Sequence, residues 1–278
     1  MSIETSGTVS GIWRHPVKSM AGEEIRSTEV TARGLVGDRA YALVDTETNR
    51  AAVVRTWGAK LLGFAARFES EPQENQPLPN VQIAAPDGTV IAHADIAKQF
   101  SATFDRPFSL LSQAPEGLLV EFPKGTLGGS LADLTEAPLA GSAAPGTFFD
   151  LAPLHLVATA TLEQLQAAAP KTPIDVRRFR ANFVVQTTGA PFVENTWAGR
   201  TIAIGDDVVI KVTMPCPRCV NVTAEQPGLP KDASLLRTIA KLNTQDLGDF
   251  GRLPCVGAYG EVVRPGRVLH GDEVRLLD

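Results

Sequence analysis

Short apolar runs, each closed by a tight-turn signature, recur along this chain and constrain its fold more than any other feature. "RAYALVD" and "AAVVRT" flank "TETN", and "NVQIAAPDGTVIAH" turns at Pro86-Asp87-Gly88. "TIAIGDDVVIKVTM" and "GRVLHGDEVRLLD" each turn at a Gly-Asp pair. All four read as hairpins, because Gly, Asp, Asn and Pro supply the backbone angles that tight turns need. Short strands joined this way predict a barrel or a sandwich. Helices are fewer. "TATLEQLQAAAP" has Thr161 three residues before Gln164, a capping box, with Leu162, Leu165 and Ala169 on one face and Pro170 as its stop. "KDASLLRTIAKLN" spaces Leu235, Leu236, Ile239 and Leu242 helically behind Asp232 as cap. The fold class expected is mainly β with a few helices (α+β).

The chain of 278 residues has room for one large domain or two ordinary ones. From about Pro115 to Pro145 it is rich in Gly, Pro, Ala and Ser, which marks the boundary between two units. We place them at residues 1–118 and 119–278, with 119–145 loop-rich; the loop from 115 to 145 either gates a site, binds the electron donor or merely links. "ESEPQENQPLPN" reads as another exposed loop.

Acidic residues outnumber basic ones, 31 to 26, which argues against a nucleic-acid partner. No basic-then-apolar leader opens the sequence and no run of 18 apolar residues occurs, so no membrane anchor is expected. Three cysteines cannot all pair, which suits a reducing, cytoplasmic compartment.

Three stretches carry charge chemistry. In "DVRRFRANFVV", Arg178 and Arg180 would share one face of a strand, with Asn182 further along it. Two guanidinium forks on one face can clamp a phosphate or carboxylate. The plain alternative is a solvated strand edge whose arginines pair with acids. In "HPVKSMAGEEI", Lys18 and Ser19 sit in a glycine-containing turn that suits an anion. "GLVGDRAY" frees the backbone at Gly34 and Gly37 before Asp38 and Arg39. Neither is a Walker loop, and Asp38 and Arg39 also read simply as turn residues.

"MPCPRCVNVT" holds Cys216 and Cys219. A structural zinc site needs four ligands, and no second pair is spaced to complete one. A dithiol redox pair normally opens a helix, whereas this pair lies between β-prone runs. Arg218 stands beside Cys219. Two inert buried thiols, or one thiolate serving as a soft metal ligand, both remain consistent with the pattern.

Read in order, "GIWRHPVKSMAGEEI", "GLVGDRAYALVD", "LHLVATATLEQL", "DVRRFRANFVV", "PFVENTWAGRTIAIGDDVVIKV", "CPRCV" and "GAYGEVVRPGRVLHGDEVRLL" resemble the MOSC-domain proteins that also carry the N-terminal MOSC β-barrel domain. Their relatives include the mitochondrial amidoxime-reducing components and the C-terminal part of molybdenum cofactor sulfurases. The resemblance spans nearly the whole chain. It implies a β-barrel MOSC domain packed with an N-terminal β-rich domain, and a bound molybdenum cofactor (Mo-molybdopterin). By that resemblance Cys219 is the metal ligand and Cys216 has no ligand role. Lys18, Ser19, Arg39, Thr159, Thr161, Arg180, Asn182 and Arg218 match cofactor-binding positions, and Tyr259 a catalytic position near the metal. The chain departs from the family where Ala181 replaces a proline, where Pro217 replaces a frequent serine, and where "CVGAYG" replaces Phe-Gly-x-Tyr.

The activity implied is a molybdenum-dependent oxidoreductase that takes oxygen from N-hydroxylated or N-oxide small molecules. The chain ends at "EVRLLD" without a ferredoxin-like extension, so electrons are expected from a separate haem, flavin or iron–sulfur donor protein. The other function weighed is a carrier that delivers sulfur or cofactor, with a persulfide on Cys219 or Cys216. Glu194 is a proton donor only by position, and a structural acid is the better reading of it.

Overall fold

The computed structural model describes residues 4–123, 134–139, 144, 146–187 and 189–277. Seven strands close on themselves as a barrel. Around it run Leu154–Ala158, Phe183–Gln186, Glu4–Arg14, Glu273–Leu276, Thr201–Ile204, Val208–Pro217 and Arg252–Arg264, and the last pairs back onto the first. Closure leaves the barrel wall no free edge. The chain's first described strand is therefore built into the same wall as its last. Leu154–Ala158 and Phe183–Gln186 run parallel, so the chain must cross between them. The helix Thr159–Ala168 makes that crossing.

Alternation along these strands puts Ile12, Leu156, Phe183, Ile202 and Ile210 inside, around the fully buried Trp197. One glycine makes a close approach possible. Gly257 has φ 80°, and a Cβ there would lie 2.2 Å from His155 Nε2 and 2.4 Å from Leu156 O. Only glycine fits, and the tight crossing brings His155 and Tyr259 into register.

The N-terminal β domain packs beside the barrel. Phe108–Leu111, Ala42–Asp45, Arg50–Ala51, Leu119–Pro123 and Leu134–Pro138 form one sheet, and Ala65–Phe68, Val81–Ala84 and Val90–Ile91 another. Their core gathers Met20, Leu43, Val81, Ile83, Phe100 and Phe108. The hairpins expected around 46–49, 85–89 and 205–207 form. No helix among the described residues is long and apolar enough to cross a membrane.

Four local expectations need correction. Gly266–Leu269 and Glu273–Leu276 are not a hairpin: the first pairs with Ser27–Thr31, and the second with Glu4–Arg14 and Thr201–Ile204. Closing the barrel takes the second strand away from its sequence neighbour. Thr161 does not cap its helix, which begins two residues earlier behind Ala158. Its hydroxyl is committed elsewhere, donating to Glu194 Oε2 at 2.8 Å and accepting from Phe192 N at 2.7 Å. Arg178 and Arg180 do not share a strand face. Val176–Arg178 is a 3-10 turn, Arg180 has φ 56°, and the strand starts only at Phe183. The segment expected to be loop-rich supplies two paired strands, Leu119–Pro123 and Leu134–Pro138. The intervening part of that expectation, 124–133, lies outside the described residues.

Candidate functional site

A cavity of about 260 Å³ opens where the barrel meets the N-terminal domain, just below the range of roughly 300–1,000 Å³ usual for small-molecule sites. It brings together Lys18, Ser19, Arg39, Arg180, Asn182, Arg218, Cys219 and Tyr259 from five separate stretches of chain. Thr159 and Thr161 do not line it. Thr161 is fully buried on Glu194, and Glu194, itself fully buried, does not reach the cavity either.

The cations arrive on turns, and three polar lining residues adopt left-handed backbone: Ser19 at φ 68°, Arg39 at φ 47° and Arg180 at φ 56°. Non-glycine residues in this region cost of order 1 kcal/mol or more each, and such residues cluster at functional sites. Lys18 follows the end of the first barrel strand. Its backbone donates to Tyr41 O at 2.8 Å, and its Nζ donates to Phe148 O at 2.8 Å and Asp150 Oδ1 at 2.6 Å. Arg39 donates one amino group to Asp38 Oδ2 and the other to Arg180 O at 3.1 Å. Gly37, before it, has φ 83° and packs so closely on Phe68 that a Cβ would sit 2.7 Å from the ring.

Arg180 donates to Met20 O and makes no ion pair among the described residues. Its pKa is pulled down to about 9, first by removal from water and then by the neighbouring Arg39, against the attraction of Asp38 and Asp150. A cation held this way gains from an anionic ligand. Asn182 bridges the two domains. Its Oδ1 accepts from His155 N at 3.1 Å, and its Nδ2 donates to Asp38 Oδ2 at 2.9 Å and Trp13 O at 3.2 Å.

The opposite wall comes from the end of Val208–Pro217. Register shifts against Arg252–Arg264 between Val212 and Met214 and between Pro215 and Pro217 bend this strand out of the barrel. The bend separates the two cysteines. Cys216 remains in the strand and is fully buried, while Cys219 begins the 3-10 turn Val220–Thr223, lines the cavity and is half-buried. Arg218 points inward between them. Its Nη1 lies 2.8 Å from Cys216 Sγ, and its Nη2 donates to Phe179 O at 3.0 Å. Burial works against its charge, but Cys216, Tyr259 and Cys219 outweigh burial and raise its pKa. Tyr259 is raised well above the ordinary phenol range, by burial first and then by Cys216, with which it shares a hydrogen bond. Its ring centroid is 5.7 Å from that of His155. His155 is held at about 3, by burial first and Arg218 second, and stays neutral.

Sequence reasoning missed several lining residues. Phe148, Phe149 and Asp150 enter from "TFFD", which no motif distinguishes from a loop. Asn221 lies two residues past Cys219, where proximity alone was the clue. No group of three or more His, Cys, Asp or Glu side chains able to hold a metal occurs among the described residues. The cavity can therefore offer a metal one thiolate, and that metal would have to bring its other ligands with it.

The family model of the MOSC domain matches residues 145–275, and that of the MOSC N-terminal beta barrel domain matches residues 6–77. Mitochondrial amidoxime-reducing component 1 of Mus musculus is 24% identical over 303 residues, covering 99% of this chain and 84% of its own. Mitochondrial amidoxime reducing component 2 of Rattus norvegicus is 26% identical over 296 residues, covering 99% and 85%. Among solved structures, the YUAD protein from Bacillus subtilis is 13% identical with a TM-score of 0.45, covering 99% of this chain and 98% of its own.

Proposed function

This chain is a MOSC-domain protein with the MOSC N-terminal β-barrel domain, and on that premise we propose that its cavity holds a molybdenum cofactor and that the protein is an oxidoreductase. The observation that carries the reading is the pairing of one accessible thiol with a wall of cations. Cys219 faces a cavity lined by Lys18, Arg39, Arg180 and Arg218, with Asp150 the one carboxylate among its described lining residues. A pterin dithiolene with a phosphate tail needs this combination: a single soft protein donor for the metal and cationic groups for the anionic tail. The residues fit it.

When bound there, the cofactor supplies two-electron oxygen-atom transfer, used here to deoxygenate N-hydroxylated or N-oxide compounds. The chain's own residues do the rest. Cys219 anchors the metal. Arg39 and Arg180 neutralise and orient the phosphate end. Lys18, now on Asp150, adds a further ammonium close by. Tyr259 keeps its proton at neutral pH and holds its hydroxyl against Cys216. Phe148 and Phe149 exclude water from one side. Electrons come from a separate donor protein.

Purification from a host that makes the cofactor, followed by mass spectrometry of the metals, tests this. Molybdenum near one per chain, lost in Cys219→Ala and kept in Cys216→Ala, is expected. Zinc lost equally from both variants would sink the reading. Turnover of a benzamidoxime-type substrate with an artificial electron donor then separates an enzyme from a cofactor carrier, which would hold molybdenum without turning over.

A further inference from the structure

Behind the cationic wall lies one buried carboxylate that the proposed chemistry does not use. Asp38 is 5% exposed, and its two oxygens serve three different pieces of chain. Oδ1 accepts from His15 N at 2.7 Å, at the end of the first barrel strand. Oδ2 accepts from Asn182 Nδ2 at 2.9 Å, just before the strand Phe183–Gln186. The same oxygen accepts from Arg39 Nη1, in the turn of the N-terminal domain. Arg39 passes the constraint on through its other amino group, which donates to Arg180 O at 3.1 Å. Arg39 and Arg180 both hold left-handed backbone, a conformation that persists only where surroundings over-determine it. A carboxylate acts here as a staple between two domains, and both side chains it grips line the cavity.

We propose that Asp38 is a positioning residue for the cavity: it fixes Arg39 and Asn182 in place, and its contribution to ligand binding is geometric. The proposal rests on reading the cavity as an anion-binding cofactor site. It has a consequence whose sign is diagnostic. A negative charge behind an anion site repels the anion through space, so its removal alone should tighten binding. If Asp38 positions the cradle, its removal should weaken binding, because Arg39 loses the acceptor that aims it and Asn182 loses one of its two acceptors.

The full-length chain, purified from a host unable to make the cofactor, is titrated with pyrophosphate by calorimetry at pH 7.5. Pyrophosphate stands in for the anionic tail. Asp38→Asn keeps the side chain's shape but removes the charge and sets an NH2 donor against at least one of the donors His15 N, Asn182 Nδ2 and Arg39 Nη1. The expected result is roughly tenfold weaker binding, with a smaller loss when the change is made in an Arg39→Ala background. Melting temperature is followed in parallel. Tighter binding in Asp38→Asn, or unchanged affinity beside a lowered melting temperature, overturns the proposal and leaves the cavity's anion-binding role intact. A wild type that does not bind pyrophosphate overturns both. If the carboxamide variant does not fold, Asp38→Ser, which leaves space for water, is read by the same two criteria. From a cofactor-making host, Asp38→Asn should also retain several-fold less molybdenum per chain than the wild type.

Discussion

The turn from Arg177 to Asn182 has two faces with opposite chemistry. On one face, Arg178 is 1% exposed and every amino group finds protein. Its Nε donates to Pro173 O at 2.9 Å, Nη1 to Val222 O and Ala224 O at 3.3 and 3.2 Å, and Nη2 to Pro230 O at 2.8 Å. On the other face, Arg180 donates, among the described residues, to Met20 O alone and looks into the cavity. Same residue type, two positions apart, same turn: one guanidinium is finished by the fold and the other is left with donors to spare beside the cavity. Arg180 is partly buried and turns its remaining donors to the cavity, where a ligand could meet them, while a saturated guanidinium such as that of Arg178 points to architecture.

The largest effect should come from the finished face. Arg178→Ala strands carbonyls of four residues in three loops, and loss of about 3–5 kcal/mol is expected from the removal of a buried, fully bonded charge. Denaturant unfolding measures it. A loss under about 1 kcal/mol would erase the distinction between the faces.

Acid should act first on the cavity face. His155 and His15, 4% and 2% exposed, are both held at about 3, by burial first and then by cations of the cavity: Arg218 for His155, Arg180 and Arg39 for His15. The folded state thus binds fewer protons than the unfolded state between about pH 6.5 and 3. Stability is fully present above the unfolded value near 6.5 and falls as pH drops through that window. The slope is at most about 1.4 kcal/mol per pH unit for each histidine. On the finished face, Asp175 lies below the ordinary carboxylate range because the bonds from Arg177 outweigh its burial, so its contribution is lost only as pH falls below about 4. Unfolding free energies at pH 7.5, 5.5 and 4.5 separate the two faces, and a flat profile over that range would refute the histidine assignment.

Arg180→Gln tests the cavity face. Removing a cation that burial already disfavours should shift stability of the ligand-free chain by less than about 1 kcal/mol, in either direction. Affinity for pyrophosphate should nevertheless fall about tenfold, the worth of one charge-assisted hydrogen bond. Equal losses of stability and affinity would mean that Arg180 is as architectural as Arg178.

How far the sequence reveals this depends on how local each cause is. Turn residues act over a few positions, so the hairpins at 85–89 and 205–207 were legible. The strand Gly266–Leu269 was not, because its partner Ser27–Thr31 lies far away in the chain. The same holds for the arginines. Alternation assigned Arg178 and Arg180 one face, but the 3-10 turn Val176–Arg178 and the left-handed Arg180 rotate them apart. Asp38 looked like an ordinary turn residue because its partners His15 and Asn182 come from distant parts of the chain, beside the barrel strands Glu4–Arg14 and Phe183–Gln186. The motif neighbourhoods of Lys18, Arg39, Asn182 and Cys219 were visible as motifs, and only folding brings them around one cavity.

The cysteines repeat the contrast between finished and cavity-facing groups in a milder form. Cys216 and Cys255 are both fully buried, and burial, reinforced by the charge of Cys216, pushes the Cys255 thiol up to about 12. Cys216 is occupied by Arg218 and Tyr259, whereas Cys219 faces the cavity. Reactivity toward an alkylating agent follows access and thiolate fraction. In the native, cofactor-free chain, Cys219 should therefore react well ahead of the other two, and pyrophosphate should slow it only modestly, by shielding rather than by chemistry. Peptide mapping after timed iodoacetamide treatment reads this directly. If Cys216 were modified as fast as Cys219, the strand bend at Pro215–Pro217 would not separate the pair, and the single-thiolate reading would lose its geometric basis.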